Sequence, residues 1–548
     1  LLISIIMKKL FAFLIFLLPA FSFAQVQLDS SNLPIVVINT NGEFIQDEPK
    51  IIADMGIIYN GPGQMNHITD PFNDYEGIIG IELRGSTSQF IYPKKQYAVE
   101  TRDEFGENNN VSLLGLPKEN DWILHAPYSD KTLIRNALAY KLAGRIMDYA
   151  PRYKFCELII NEEYLGVYLL LEKVKRDKDR VAVSKLEADE NTGDDLTGGY
   201  ILKLDKYDGA GNDGFVSNYG PRPGFPQQTV YQFHYPKPDD ITIAQRAYIE
   251  DFIDQFESVM DGDDFADPAG GYSKYIDLST FIDYMLINEV CKNVDAYRIS
   301  TYLYKDRDSI DGRLKIGPVW DFNLGFGNVD FCMGPEIDAW VLDYIDFCPE
   351  DNWLPPIWWK KLRADTTFRN DAKARWVELR SDILSNDNIW TCIDSLVAEI
   401  DIAKDRNFER WPVQADYVWP NAFVGGSYSA DLDYLKNWLR DRLIWMDGEI
   451  DDFDRIIYKP ADYFDPLVYP NPFDTEVNFE YYVRDYEEVT ILIYNAQGQL
   501  VANLQDVEHP NGKGKLAWND QRPATGVYYY TIYFNGDKIK SGSILCNK

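Results

Sequence analysis

Apolar residues recur in this chain with two periods, and the period switches along its length. Between residues 25 and 75, short apolar segments such as Ile35-Val36-Val37-Ile38 alternate with turn formers such as Asn60-Gly61-Pro62-Gly63, which predicts short strands and turns. Residues 77–100 read as strand, loop, strand: Ile78–Leu83, Arg84-Gly85-Ser86-Thr87-Ser88, then Gln96–Glu100. Leu133, Leu138, Leu142 and Ile146 fall at helical spacing and predict a helix over 130–148, opened by Ser129 or Asp130 as cap. Two strands follow, Phe155–Ile160 and Tyr164–Leu171, joined by Asn161-Glu162-Glu163. Helical spacing returns at 241–260 and 275–292, and 298–321 reads as a hairpin. From 355 to 455 the pattern is mostly helical and rich in tryptophan, with segments at 370–385, 390–405 and 430–447. Strands and helices mix without a βαβ rhythm, so the expectation is an α+β domain with mixed or antiparallel sheets and a helical C-terminal half.

The pattern breaks near 456–468. Beyond it, Glu476–Val483, Val489–Asn495, Gly526–Phe534 and Lys538–Leu545 predict a small all-β sandwich separated by Gly and Asn turns. At the other end, Met7-Lys8-Lys9, the apolar run Leu10 to Phe23 and the small-residue site Ser22-Phe23-Ala24 have the layout of a secretory signal peptide. Residues 1–6 read as a start-site artefact. The apolar run is shorter than the roughly 20 residues a spanning helix needs, and no later stretch resembles a transmembrane segment. The expected organisation is a signal peptide at 1–24, a catalytic-type domain at 25–457 and the sandwich at 466–548.

Composition then narrows the chemistry. A chain of 548 residues exceeds what one core organises, so several domains are expected. With 54 basic against 87 acidic residues, the formal charge of −33 repels phosphate backbones and excludes nucleic acid as a partner. A bound nucleotide needs its own basic island. Six cysteines occur, none at CxxC spacing, so zinc is not expected; Cys332 and Cys348 bracket one loop-rich segment and are candidates to pair. The tryptophans and paired acids fit glycoside hydrolysis only superficially, and none of the four histidines sits in a nucleophile motif.

The hairpin carries the candidate chemistry. Asn293-Val294-Asp295 ends the 275–292 helix, Arg298–Lys305 alternates like a strand, Asp306 to Gly312 supplies a polar turn, and Leu314–Trp320 leads into Asp321-Phe322-Asn323. An antiparallel ribbon centred near 309 places Asp295 roughly opposite Asn323, with Asp321 one pair further in. Hard oxygen ligands so grouped suit Mg²⁺ or Mn²⁺ bridging phosphate oxygens. In phosphoryl transfer one Asp positions the attacking hydroxyl and another holds the metal.

At these residues the chain resembles the CotH kinase family. The matching stretches are Leu83-Arg84-Gly85-Ser86-Thr87-Ser88, Pro93-Lys94-Lys95-Gln96-Tyr97, Asp130-Lys131-Thr132-Leu133-Ile134-Arg135-Asn136, and Asn161 to Tyr168 with Glu172-Lys173. Asn293-Val294-Asp295 and Trp320-Asp321-Phe322-Asn323 with Gly325 and Gly327 complete the set. The resemblance implies an atypical kinase-like fold, secreted or at the surface, that transfers the γ-phosphoryl of ATP to protein Ser or Thr with Mg²⁺ or Mn²⁺. It implies Asp295 as the catalytic Asp, Asp321 as the metal-binding Asp with Asn323 beside it, and Arg84 and Lys95 on the nucleotide. Glu172 is expected to pair with Lys95. Two positions depart from the pattern: Ser300, where many members carry a metal-binding Asn, and Asn323, where they carry Asp. Both weaken ligand strength, so the alternative is a non-catalytic surface or adhesion protein.

The tail has its own resemblance. Val468-Tyr469-Pro470-Asn471-Pro472-Phe473, Ile493-Tyr494-Asn495-Ala496-Gln497-Gly498 and Gly526-Val527-Tyr528-Tyr529 are similar to the C-terminal sorting domain of type IX secretion. That implies the type IX machinery as a partner and delivery to the surface or outside.

Overall fold

The computed structural model describes residues 26–206, 213–221, 226–453, 466–483, 487–509, 512–519 and 524–547. The signal peptide expected at 1–24 and most of the break at 456–468 lie outside the described residues. The chain divides into two compact units, one up to residue 455 and one from 456 on.

The first unit begins with a closed barrel. Its strands are β1 (Ile35–Asn39), β2 (Ile51–Ile58), β3 (Tyr75–Arg84), β4 (Gln96–Arg102), β5 (Asp121–His125), β6 (Tyr153–Ile160) and β7 (Glu163–Glu172). They run in the order β1-β2-β3-β4-β5-β7-β6, and the parallel pair β1–β6 closes the ring. Alternation along each strand decides which side chains go inside. In β7, Tyr168 and Leu170 join an interior of Val36, Ile81, Val99 and Trp122, while Val167, Leu169 and Leu171 face outward to helix α1 (Arg135–Ala143).

That helix is shorter than the expected 130–148. Leu133 sits at φ +63, which an α-helix does not admit, and the Asp130 carboxylate instead accepts hydrogen bonds from Thr132 N (3.0 Å) and Arg135 N (2.8 Å). Apart from Lys141, α1 is buried along its length, which makes it a central strut.

A second sheet of five strands follows: β8 (Tyr200–Leu204), β9 (Gly214–Val216), β10 (Val230–Tyr235), β11 (Thr301–Lys305) and β12 (Leu314–Ile316), in the order β9-β10-β8-β11-β12, all antiparallel. Helices α2 (Ile243–Asp261) and α3 (Leu278–Cys291) interrupt it in sequence. The helical half comprises α4 (Trp358–Ala364), α5 (Thr366–Ser381), α6 (Asn386–Glu399), α7 (Asp401–Arg410) and α8 (Tyr428–Glu449). The segment expected at 390–405 is thus two helices, parted at Ile400. Fully buried Arg442 of α8 pairs with Glu289 of α3 at 3.0 Å and donates to the carbonyls of Ile337 and Ala339. Cys332 and Cys348, the candidates to pair, are disulfide-bonded.

The second unit is all β. Strands β13 (Leu467–Tyr469), β14 (Glu476–Val483) and β17 (Gly512–Asn519) make one sheet. Strands β15 (Glu487–Tyr494), β16 (Leu500–His509), β18 (Gly526–Phe534) and β19 (Asp537–Cys546) make the other. Phe473, Val477, Phe479, Ile491, Ile493, Trp518, Ile532 and Ile544 form their shared core. Three of these strands, β13, β16 and β17, were not expected from the pattern, since β16 interleaves Asn, Gln and Asp among its apolar positions and β17 opens on Gly-Lys-Gly-Lys.

Candidate active site

Four strand ends meet at one edge of the five-stranded sheet. The register sets Leu204 at the end of β8 opposite Thr301 at the start of β11 and Tyr231 at the start of β10, while Ile316 at the end of β12 pairs with Leu303. The hairpin is therefore present, but its ladder is shorter than 298–321. Ser300 at φ +51 and Gly317 at φ +130 leave the extended region, so the acids meet beyond the ladder and not on it. Arg84 at the end of β3, the loop after it and His125 at the end of β5 form the facing wall. Together they enclose a cleft of about 210 Å³ lined by Arg84, Asp205, Lys206, Asp295, Ser300, Asp321 and Asn323.

Asp321 is held in a left-handed conformation, φ +60, which is unusual for a residue with a side chain. The strain is countered by three hydrogen bonds to its two flanking peptides. Asp321 N donates to Tyr140 Oη (3.2 Å), Asn293 Nδ2 donates to its carbonyl (3.2 Å), and Phe322 N donates to Asn136 Oδ1 (2.6 Å). Asn136 Nδ2 in turn donates to His125 Nε2 (2.8 Å), and His125 Nδ1 donates to Gln96 Oε1 (2.8 Å). Burial, with Arg84 and Lys94 nearby, pushes the imidazole pKa down to about 3, so His125 stays neutral. It is a relay that orients the Asp321 segment, and the Asn136 motif serves it.

The charges in the cleft are unevenly satisfied. Arg298 Nη2 donates to Asp295 Oδ1 at 2.9 Å, and the same guanidinium reaches Asp351 at 3.2 Å. Burial raises the Asp295 pKa and Arg298 opposes the rise. Asp321 lacks such a partner: burial and the neighbouring Asp295 push its pKa up to about 6, against the pull of Arg84. Arg84 lies over the Trp320 ring at 5.7 Å, and among the described residues it has no ion-pair partner. Among the described residues, Asn323 Oδ1 is buried without a hydrogen-bond partner. A stranded acceptor, an acid with a raised pKa and an uncommitted arginine mark a place suited to binding.

A divalent cation fits this set in part. The orphaned Asn323 oxygen and the Asp321 carboxylate are hard donors, and Asp295 lines the same cleft. Among the described residues, no three His, Cys, Asp or Glu side chains group as a metal cage. Asp321 and Asn323 would therefore supply only part of a divalent ion's shell and leave its other positions to water.

Lys95 and Glu172 do not line the cleft. Lys95 Nζ donates to the carbonyls of Gln89 (2.5 Å) and Tyr92 (2.7 Å), capping the one-turn helix Thr87–Ile91. Glu172 is fully buried, accepts from Arg152 Nε (2.9 Å), Arg152 Nη2 (2.8 Å) and Tyr149 Oη (3.1 Å), and lies 3.8 Å from Arg180. The expected Lys95–Glu172 pair is not formed: Lys95 is taken up by two carbonyls of the preceding loop, and Glu172 by Arg152, Arg180 and Tyr149 from other segments. Sequence reasoning also missed Asp205 and Lys206. Their signal was the alternation Tyr200-Ile201-Leu202-Lys203-Leu204, an unread strand that ends at the cleft.

Comparison with known proteins follows the same division. Residues 81–446 match the family profile described as CotH kinase protein, and residues 467–545 match that of the secretion system C-terminal sorting domain. No curated protein matches the chain. Among solved structures it is similar to Pseudomonas fluorescens alkylpurine DNA glycosylase AlkC bound to DNA containing an abasic site analog, at 10% identity and a TM-score of 0.13. That match covers 38% of this chain and 64% of the glycosylase, less than two thirds of its length, and carries no argument at so low a score. The tail match indicates export by the type IX pathway to the cell surface or outside. No helix among the described residues is long and apolar enough to cross a membrane.

Proposed function

The chain belongs to the CotH kinase protein family, and from that premise we propose that it is an exported protein kinase with a kinase-like catalytic domain. It transfers the γ-phosphoryl group of ATP to Ser or Thr hydroxyls of surface or secreted proteins, with Mg²⁺ or Mn²⁺. The observation that carries this reading is the convergence of Asp295 and Asp321, from the two arms of one hairpin, on a cleft that also holds Arg84, which has no ion-pair partner among the described residues. Asp295 receives the proton of the acceptor hydroxyl, and Arg298 at 2.9 Å keeps it oriented. Arg84 takes phosphate oxygens, helped by the close-lying loop at Gly85, where φ is +99 and a Cβ would collide with Ser88 Oγ. Asp321 and Asn323 hold the cation, which when bound neutralises charge on the transferring phosphoryl group. Lys95 shapes the Ser86–Tyr92 loop, and Glu172 supports the end of β7.

The test is incubation of the purified protein with radiolabelled ATP and Mg²⁺ or Mn²⁺. Autophosphorylation or labelling of an acceptor is expected. A silent wild type, or equal labelling by Asp321→Ala, rejects the reading. One observation favours a second, non-catalytic function: Ser300 stands in the cleft where the family pattern has Asn, and among the described residues no three of its carboxylates group closely enough to hold a metal ion. On that reading ATP plus metal leaves the melting temperature unchanged.

A further inference from the structure

Beside the cleft lies a second cavity of about 320 Å³, between Leu204, Asp205, Thr229, Val230, Trp353 and Leu354. We propose that it is the acceptor groove, which takes an extended polypeptide with an apolar side chain next to the hydroxyl-bearing residue. The proposal rests on the kinase reading and adds where the second substrate lies.

Sheet order carries the argument. Across the edge where the strand ends meet, the strands run β10, β8, β11, β12. The chain after β12 supplies Asp321 and Asn323, so the phosphate side of the cleft belongs to that flank. Asp295 precedes β11, in the middle. A hydroxyl that meets Asp295 in line with the phosphoryl group must come from the other flank, where β8 ends and β10 begins. The second cavity opens there, and Asp205 lines both spaces.

The outer wall is built for a fixed position. Arg298 Nη1 donates to the Trp353 carbonyl at 3.3 Å while its Nη2 holds Asp295, so one guanidinium ties the wall to the acid. Gln227 Nε2 donates to the Asp351 carbonyl at 3.0 Å from the β10 side, and Tyr344 Oη donates to Asp351 Oδ2 at 2.7 Å. The disulfide from Cys332 to Cys348 closes the loop just before this wall. On the wall, Thr229 is 5% exposed, and among the described residues its hydroxyl has no hydrogen-bond partner, so a small shift of the wall would give it to a bound peptide amide or carbonyl. Leu204, Val230, Leu354 and the Trp353 ring supply the apolar surface beside it.

The experiment uses the full chain with Asn352, which is exposed at the rim, replaced by the photo-crosslinker benzoylphenylalanine. The probe is a biotin-tagged mixed library of Ser-centred peptides. Peptides with an apolar neighbour should crosslink, and Trp353→Ala should reduce the yield. In transfer assays Trp353→Ala should raise the acceptor KM about tenfold and leave the ATP-plus-metal thermal shift intact. Thr229→Val, which keeps shape and removes the hydroxyl, should act the same way more weakly. Crosslinking at Asn352 in a protein that transfers no phosphate supports the groove while the kinase reading fails. Transfer activity with no crosslink at Asn352 and an unchanged acceptor KM overturns the groove and leaves the kinase reading standing.

Discussion

Glu172 at the end of β7 and Asp321 in the segment after β12 are both acids of the first unit, and both belong to motif stretches, yet they are opposite in kind. Glu172 is enclosed by Arg152, Arg180 and Tyr149 and has nothing left to bind. Asp321 sits near Asp295, with its pKa raised to about 6, under an arginine that no carboxylate has claimed. A saturated buried acid holds the fold together, because removing it strands its cations. An unsaturated one is a cost that the fold carries and a ligand relieves. The contrast separates architecture from chemistry where motif membership does not.

The largest expected effects test that contrast directly. Asp321→Asn should cut phosphoryl transfer by about a thousandfold, about 4 kcal/mol, and leave the apo protein at least as stable in urea at neutral pH. Glu172→Gln should do the reverse, lowering unfolding stability by about 3–5 kcal/mol through the cations it strands. Equal stability losses in the two variants would break the comparison. Next in size, Cys332→Ser with Cys348→Ser opens a bridge across 16 residues and should cost about 3 kcal/mol in denaturant unfolding. Smaller still, Arg84→Ala should raise the ATP KM about tenfold, because it removes a phosphate contact and no structural ion pair.

The smallest effect is a pH dependence, and its sign follows from the shift. Folding raises the Asp321 pKa from 3.8 to about 6, so the folded state holds the proton more tightly. The stability this contributes is complete below pH ~4 and is lost as pH rises through about 6. Asp321→Asn removes the loss. Its melting temperature should therefore gain on the wild type between pH 4 and 7, and saturating Mg²⁺ or Mn²⁺ should close the gap by stabilising the wild type alone. A gap that narrows as pH rises would contradict the burial of Asp321 beside Asp295.

Much of this was legible in the chain's pattern. The β–helical–β succession, the two units' characters and the hairpin with its two acids followed from periodicity, turn chemistry and composition, which also offered Cys332 and Cys348 as candidates to pair. These features are local, or arise from strands joined by one turn, so nearby residues contain the information. Asp205 and Thr229 were not legible, because β8 becomes the neighbour of β11 only after α2 and α3 have been looped out, and β10 reaches the site on the far side of β8. Which acid is spoken for was not legible either. Arg152 lies 20 residues from Glu172 in sequence, and Lys95 is consumed by two carbonyls of its own loop. Sequence alone determined which residue types could do chemistry and roughly in what order they occur. Only the tertiary structure decided which of their charges remain free, because satisfaction depends on the full set of neighbours that packing brings within hydrogen-bonding distance.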